Sequence, residues 1–408
     1  MTRVEHSRLR GLGRFDAIVL TSGLWFLGKF VRFSVPPLFG RIAGVYQISA
    51  TGLGSAFSGL LLVYAVLQFP SGLLADRFSS VTVVGTGAAL AALAALGALA
   101  LAVDAPLAVF IAAMVVIGAG TGTLKTVSVR LLSRAYPAQT GRALGVFDTF
   151  GALGGVAAPA AVVAFAGLPG VVGAGWRTTF LLAGIVGLAT TAAFVSRVPA
   201  RLPDASGGAD GDGGVPVREY AAMFRDWRFS AFVLAAILFA FAYNAVTAFL
   251  PLYLTREAGV GSATASLIFS ALFAVSLVQL VTGEVSDRIG TLPVIVAMLV
   301  VASLGLASIV LLTGVAGPLG LGVAAVCLGL GSHGYRPVRG AYLMSTIPSP
   351  VAGGSLGAVR TLLMAAGASS PAIVGLVSET VGFQPAFWLL TAALAVATAL
   401  SVVLWVFD

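Results

Sequence analysis

The two lysines of this 408-residue chain, Lys29 and Lys125, both sit inside long apolar stretches, and so do Arg32, Arg336, Arg339 and Arg360. An isolated cation is costly in an apolar medium, so each should face a cavity or a partner. Helical spacing favours a cavity for the deeper ones. Ser22, Trp25, Lys29, Arg32 and Pro36 recur at three- and four-residue steps. Thr121, Lys125 and Ser128 share one helix face, and Ser332, Arg336 and Arg339 share another. Acids do not balance this set: only Asp148 and Glu284 lie within the apolar stretches. Cations in excess of acids suit an anionic ligand, whose carboxylate or phosphate accepts charge-assisted hydrogen bonds. Gln68, Gln279 and Asn244 are further candidate ligand contacts, although an isolated polar residue in a lipid-spanning helix more often bonds a neighbouring helix. Asp148 and His333 are candidate coupling groups, His333 because imidazole titrates in the physiological range.

These residues must be held by elements suited to lipid. The chain is 59% hydrophobic and 9% charged, against about 25% charged in an average soluble domain. A spanning helix needs about 20 mostly apolar residues. Such runs recur about twelve times: near 16–38, 52–75, 82–103, 107–132, 143–167 and 177–196, then 229–254, 263–286, 292–313, 318–343, 355–378 and 385–406. They are too long for barrel strands and do not alternate. The expected fold class is therefore an all-α polytopic membrane protein of about 12 transmembrane helices.

Basic residues give an expected orientation, because cytoplasmic loops carry excess Arg and Lys. With both termini inside, Arg3, Arg8, Arg10, Arg14, Arg77, Arg130, Arg134, Arg142, Arg197, Arg201, Arg218, Arg225, Arg228 and Arg288 are cytoplasmic, against Arg41, Arg177 and Arg256 outside. The net charge of +8 thus reads as topology, and nucleic acid is not an expected partner. The first apolar run is too long for a signal-peptide core, contains Lys29 and Arg32, and is read as a retained helix. A single cysteine, Cys327, allows neither an intrachain disulfide nor a thiolate metal cluster. With two histidines, no phosphate loop and no acid pair in a shared span, an enzyme is not expected, nor is a cofactor or metal.

The chain repeats itself. Gly72-Leu-Leu-Ala-Asp76-Arg77 recurs as Gly283-Glu-Val-Ser-Asp287-Arg288, an offset of 211 residues (283 − 72). Gln68 and Gln279, Gly118 and Gly329, Gly120 and Gly331, and Lys125 and Arg336 keep that offset. Gly145 and Gly357, Gly155 and Gly367, and Pro159 and Pro371 stand 212 apart. Three segments follow: a bundle over 1–196, a linker over 197–228 and a second bundle over 229–408. The linker is rich in Gly, Asp and Pro, with a short interfacial helix expected over 217–228. Its Asp204, Asp210 and Asp212 lack the spacing of a calcium loop.

The loop Gly72–Arg77 and its repeat resemble the signature of the major facilitator superfamily, and the likeness extends over essentially the whole chain. Departures occur at Ser79 and Ser80, where the family has Gly and Arg; the second copy keeps Gly290. The resemblance implies two pseudo-symmetric six-helix bundles and alternating access. It gives a gating role to Gly72, Asp76 and Arg77 and to Gly283, Asp287 and Arg288. Arg142 and the start of the eleventh span are the expected partners of the Asp–Arg loop. It also places the first, fourth, seventh and tenth spans along the central path, so Lys29, Arg32, Lys125 and Arg336 become substrate candidates. Arg130, Arg339 and Arg360 near span ends either reach the interface or pair with Asp148; for Lys125 and Arg336 the alternative to a ligand clamp is a structural cation held by Asp148 or helix carbonyls.

The expected function is secondary transport of a small, anionic, organic solute across the cytoplasmic membrane, coupled to H+ or Na+, by a monomer. Met114, standing where proton-coupled exporters have Arg, and Gly154-Gly155 set apart from Pro159 weigh against the alternative of an efflux antiporter for amphipathic compounds, which Trp25, Phe26, Phe30 and Phe33 favour. A non-transporting receptor or scaffold is the alternative of another class; intact Asp–Arg loops in both halves oppose it.

Overall fold

Long apolar sequences give long helices here because a helix satisfies its own backbone polar groups, which lipid cannot do. The computed structural model describes residues 15–102, 104–202, 224–346 and 352–407, and among them regular structure is helical. The helices are α1 (Asp16–Ser34), α2 (Phe39–Tyr46), α3 (Ala50–Val66), α4 (Gln68–Arg77), α5 (Ser80–Ala94), α6 (Leu107–Ala135), α7 (Thr140–Ala166) and α8 (Arg177–Arg197). They continue as α9 (Trp227–Arg256), α10 (Ser262–Ala274), α11 (Val278–Ile289), α12 (Thr291–Leu311), α13 (Pro318–Thr346), α14 (Ala352–Thr380) and α15 (Phe383–Phe407).

Ten segments are long and apolar enough to cross a membrane, and α3 with α4 forms an eleventh, bent by 40°. The expected continuous run over 52–75 therefore breaks at Leu67. Pro70 lies three residues past the break, and its ring cannot follow an unbroken turn. The twelfth expected span is α13. Its 29 residues give a length of about 44 Å, while Ser332, His333, Arg336 and Arg339 make it more polar than the others. The protein is thus an all-α, multi-pass membrane protein. Arg3, Arg8, Arg10 and Arg14, and linker residues Asp204, Asp210, Asp212 and Arg218, lie outside the described residues. So does most of the interfacial helix expected over 217–228; Trp227 and Arg228 belong to α9, whose start is capped by Asp226 accepting from the Arg228 amide at 2.9 Å.

The chain divides into two compact units, Met1–Val35 with Val63–Gly207, and Pro36–Leu62 with Gly208–Asp408. In the first, α1 packs on α7 and α8, and α6 packs on α5, α4 and α1. Its core is formed by Leu24, Trp25, Leu124, Val127, Leu131 and Phe147 with their neighbours. In the second, α13 packs on α12, α10 and α11, while α9 packs on α14 and α15.

The second unit takes in the early segment 36–62. Phe39 meets Phe249 edge to face at 5.6 Å. A methyl group at Gly54 would fall on the Pro371 carbonyl, and one at Gly375 on the backbone of Ala50 and Thr51. The Ala372 amide donates to Ser58 Oγ at 2.9 Å. At the start of α3, Glu379 accepts from the Thr51 amide at 2.9 Å and the Thr51 hydroxyl at 2.6 Å. An anion there offsets the positive end of the helix.

The loop before α5 holds a backbone constraint. Ser79 has φ +135°, a conformation L side chains rarely adopt, and its repeat partner Gly290 has φ +94°. Ser79 Oγ accepts from the Thr82 amide at 3.1 Å, capping α5.

Candidate functional site

In the first unit the cations of α1 and α6 are set among aromatic faces. Trp25 stacks on Phe147 of α7 with centroids 5.5 Å apart and planes within 14°. The indole fits because α7 carries Gly151 at that point; a methyl there would collide with Trp25. One turn along α1, Lys29 Nζ lies 5.0 Å from the Trp25 ring and 5.3 Å from Phe33. Arg32 is buried, its guanidinium carbon 5.4 Å from both Phe33 and Tyr64. Lys125 Nζ is 5.3 Å from Trp25 and 4.9 Å from Phe147. Ring faces attract cations, by about 0.5–1 kcal/mol where exposed and about 2 where desolvated.

Lys125 also forms an ion pair with Asp148 of α7. Its positive charge is therefore already matched within this unit, the arrangement expected of a structural cation. Asp148 is the more open partner, with 57% of its side chain exposed against 21% for Lys125. Gln68 is turned to α6, its Oε1 accepting from Thr126 at 3.3 Å.

The Asp–Arg motif lies in the last turn of α4; of its two expected partners, the start of the eleventh span falls outside the described side chains, and Arg142 is not the group that Asp76 meets. Asp76 at the end of α4 is paired with Arg130 of α6, whereas Arg142 is exposed. The short α4 aims its last turn at α6, on which it packs; this also removes Arg130 from the candidate partners of Asp148. A methyl at Gly72 or Gly283 would meet open space among the described residues, so neither is required for helix contact.

In the second unit α13 carries the charge. His333 is buried between Tyr243 and Phe273, with centroids 6.1 Å and 5.8 Å away. Arg336 lies 5.3 Å from the Tyr243 ring and Arg339 5.8 Å from the Tyr335 ring. Both arginines are half-buried, and among the described residues neither has an ion pair. Arg336 and Arg360 both lie within electrostatic range of Arg339. Arg360 itself is exposed on α14.

The remaining candidates make hydrogen bonds or ion pairs within their own helices. Asn244 Nδ2 donates to the Ala240 carbonyl at 2.9 Å, with Gly367 packed on the amide. Gln279 Nε2 donates to the Ser276 carbonyl at 2.8 Å. On α11, Arg288 donates to Glu284 at 2.5 Å, and Asp287 is exposed. Tyr335 is the residue that sequence reasoning passed over. It is fully buried against Phe239, 4.4 Å between centroids, one turn before Arg339. The one signal for it was that i, i+4 spacing on a helix that also carries Arg336.

Partly buried cations on polar helix faces, in a multi-pass bundle with an Asp–Arg motif in each half, are the features of a membrane transport protein. The family model described as Major Facilitator Superfamily matches residues 22–371, and the chain belongs to that superfamily of secondary transporters. Among solved structures it is similar to a bacterial homolog of the human lysosomal transporter Spinster, in an inward-facing and occupied conformation. The identity is 15%, covering 95% of this chain and 96% of that one, with a TM-score of 0.78. A D-xylose-proton symporter follows at 13% identity, 96% and 97% coverage and TM-score 0.74. The nucleoside transporter NupG, as a point mutant, gives 16%, 95%, 99% and 0.72. At these identities the likeness is one of fold. No curated protein sequence matches the chain.

Proposed function

We propose that this transporter moves a small organic anion, and that α13 supplies the charge that selects it. The observation that carries the reading is the pairing pattern. Lys125 and Arg130 of the first unit are matched by Asp148 and Asp76, whereas Arg336 and Arg339 have no acid partner among the described residues. A half-buried guanidinium without a carboxylate favours a ligand that brings one, or a phosphate, in bidentate geometry. Lys29 and Arg32 add positive charge to the first unit. Solved relatives named for a sugar and for nucleosides share this fold, so the chemistry of the solute is set by side chains rather than by the bundle.

Within the same reading, Asp76 with Arg130, and Asp287 with Arg288, act as gate groups. Asp148 and His333 are the coupling candidates for H+ or Na+. Both termini and the segment joining the two sequence halves are cytoplasmic, from the arginine bias, and the working unit is a monomer. The experiment is flux into proteoliposomes of radiolabelled succinate, glucuronate and phosphate, with xylose and a cationic dye as contrasts. Saturable flux of an acid that Arg336→Gln abolishes is the expected result. Flux of the dye or sugar alone, indifferent to Arg336→Gln, would refute the anionic reading.

A further inference from the structure

Two donors on α13 have no hydrogen-bond partner among the described residues: the Tyr335 hydroxyl and the Nε of Arg339. Tyr335 is fully buried. Leaving such groups unmatched costs roughly 1–3 kcal/mol each, so a native structure retains them where something else supplies the partner. Arg339 Nε can only donate, which fixes the partner as an acceptor. Four residues apart, the two side chains share a helix face, and the guanidinium lies 5.8 Å from the Tyr335 ring.

The first half carries a different pair at these places, and there too one member, Ser128 Oγ, has no hydrogen-bond partner among the described residues. At the offset of 211 residues, Tyr335 corresponds to Leu124 and Arg339 to Ser128, both buried in the first unit. A leucine fills the same place without a hydroxyl.

We propose that Tyr335 Oη and Arg339 Nε together donate to one oxyanion group, a carboxylate or phosphate, of the transported solute. They form a selectivity subsite beside Arg336. The inference rests on the anionic reading above and adds two residues to it.

The test uses the purified full chain in an uncharged detergent. Succinate and inorganic phosphate are titrated separately by calorimetry, and a third arm adds phosphatidylglycerol micelles. Tyr335→Phe removes only the hydroxyl and keeps the ring that packs on Phe239. It should weaken binding of the acid that wild type prefers about tenfold or more, the loss expected for a hydrogen bond to a charged group. Arg339→Lys keeps the charge but moves the donor, and should lose a similar factor. A Tyr335→Phe protein that binds at wild-type strength and melts higher would overturn the subsite, because the hydroxyl would then be a buried liability. If Arg336→Gln loses binding while both of the other variants keep it, the anionic reading stands and the subsite falls. Wild type that binds neither acid overturns both, and binding confined to phosphatidylglycerol overturns the assignment to a solute.

Discussion

Ser79→Gly should make this protein more stable, and Ser79→Ala less. Ser79 sits at φ +135° immediately before α5, where its repeat partner is Gly290 at φ +94°. A non-glycine residue held in a sparsely populated backbone region costs on the order of 1–3 kcal/mol. The serine recovers part of this by capping, since its Oγ accepts from the Thr82 amide at 3.1 Å and lies 2.9 Å from the Thr82 hydroxyl. Replacing a serine cap with glycine costs only a few tenths of a kcal/mol, whereas alanine costs roughly 0.5–2. Glycine also adds freedom to the unfolded chain, which takes back about 0.5–1 kcal/mol. The balance for Ser79→Gly is a gain of about 0.5–1.5 kcal/mol. For Ser79→Ala it is a loss of about 1 kcal/mol, because strain persists and the cap goes. Thermal unfolding of the three proteins, side by side in one detergent, reads the sign directly. Equal melting of the glycine and alanine variants would refute the strain argument, and a glycine variant below alanine would reverse it.

A double-mutant cycle on Lys125→Ala and Asp148→Ala should return a coupling of about 1 kcal/mol, modest because Asp148 is more than half exposed. Lys125→Ala should cost about 2 kcal/mol alone, since contacts with Trp25 and Phe147 go as well; coupling near zero would remove the pair. Asp76→Asn and Arg130→Gln should slow turnover equally and more than they change affinity, and the double variant should be no slower than either, because the two act as one unit. A further loss in the double variant would show separate roles. Gly54→Ala should destabilise by about 1–3 kcal/mol, because the new methyl meets the Pro371 backbone, while Gly72→Ala, facing open space, should stay within about 0.5. Equal melting temperatures would undo the packing assignment.

The fold was legible because lipid imposes so simple a code: apolar length gives the spans, and Gly and Pro inside them carry little penalty. The break at Leu67 was hidden, because apolarity continues through it and only Pro70 signals the bend. Site chemistry was legible by residue type but not by partner. Lys125 and Asp148 were both visible as intramembrane charges and their pairing was one of two readings open for Lys125; choosing it depends on the rotation of α6 against α7, which composition does not encode. The same holds for Asp76, whose expected basic partner was Arg142, while Arg130 was read as reaching the interface or pairing with Asp148. Tyr335 was invisible for another reason. In an apolar helix a tyrosine reads as packing, and only the orphaned hydroxyl beside Arg339 marks it out.

The two halves, aligned on their own repeat, share some residues and differ at others. Asp76 and Asp287 agree, as do Gly118 with Gly329 and Gly120 with Gly331; at Gly120, Gly329 and Gly331 a methyl would meet the backbone of a neighbouring helix. Charged positions are among those that differ. Lys125 corresponds to Arg336 and, at the offset of 212, Asp148 to Arg360; Arg130 corresponds to Ala341 and Ser128 to Arg339. The first half thus holds two cations against two acids at Lys125, Asp148, Arg130 and Asp76, a balance of zero. At the same positions the second half holds Arg336, Arg360 and Asp287, and Arg339 stands where the first half has Ser128. Duplication by itself would give the same balance twice. Lys29 and Arg32 of the first half correspond at the offset of 211 to Ala240 and Tyr243, so each half carries intramembrane cations where the other has none, and the two copies have diverged in charge at positions that a shared bundle leaves open to change.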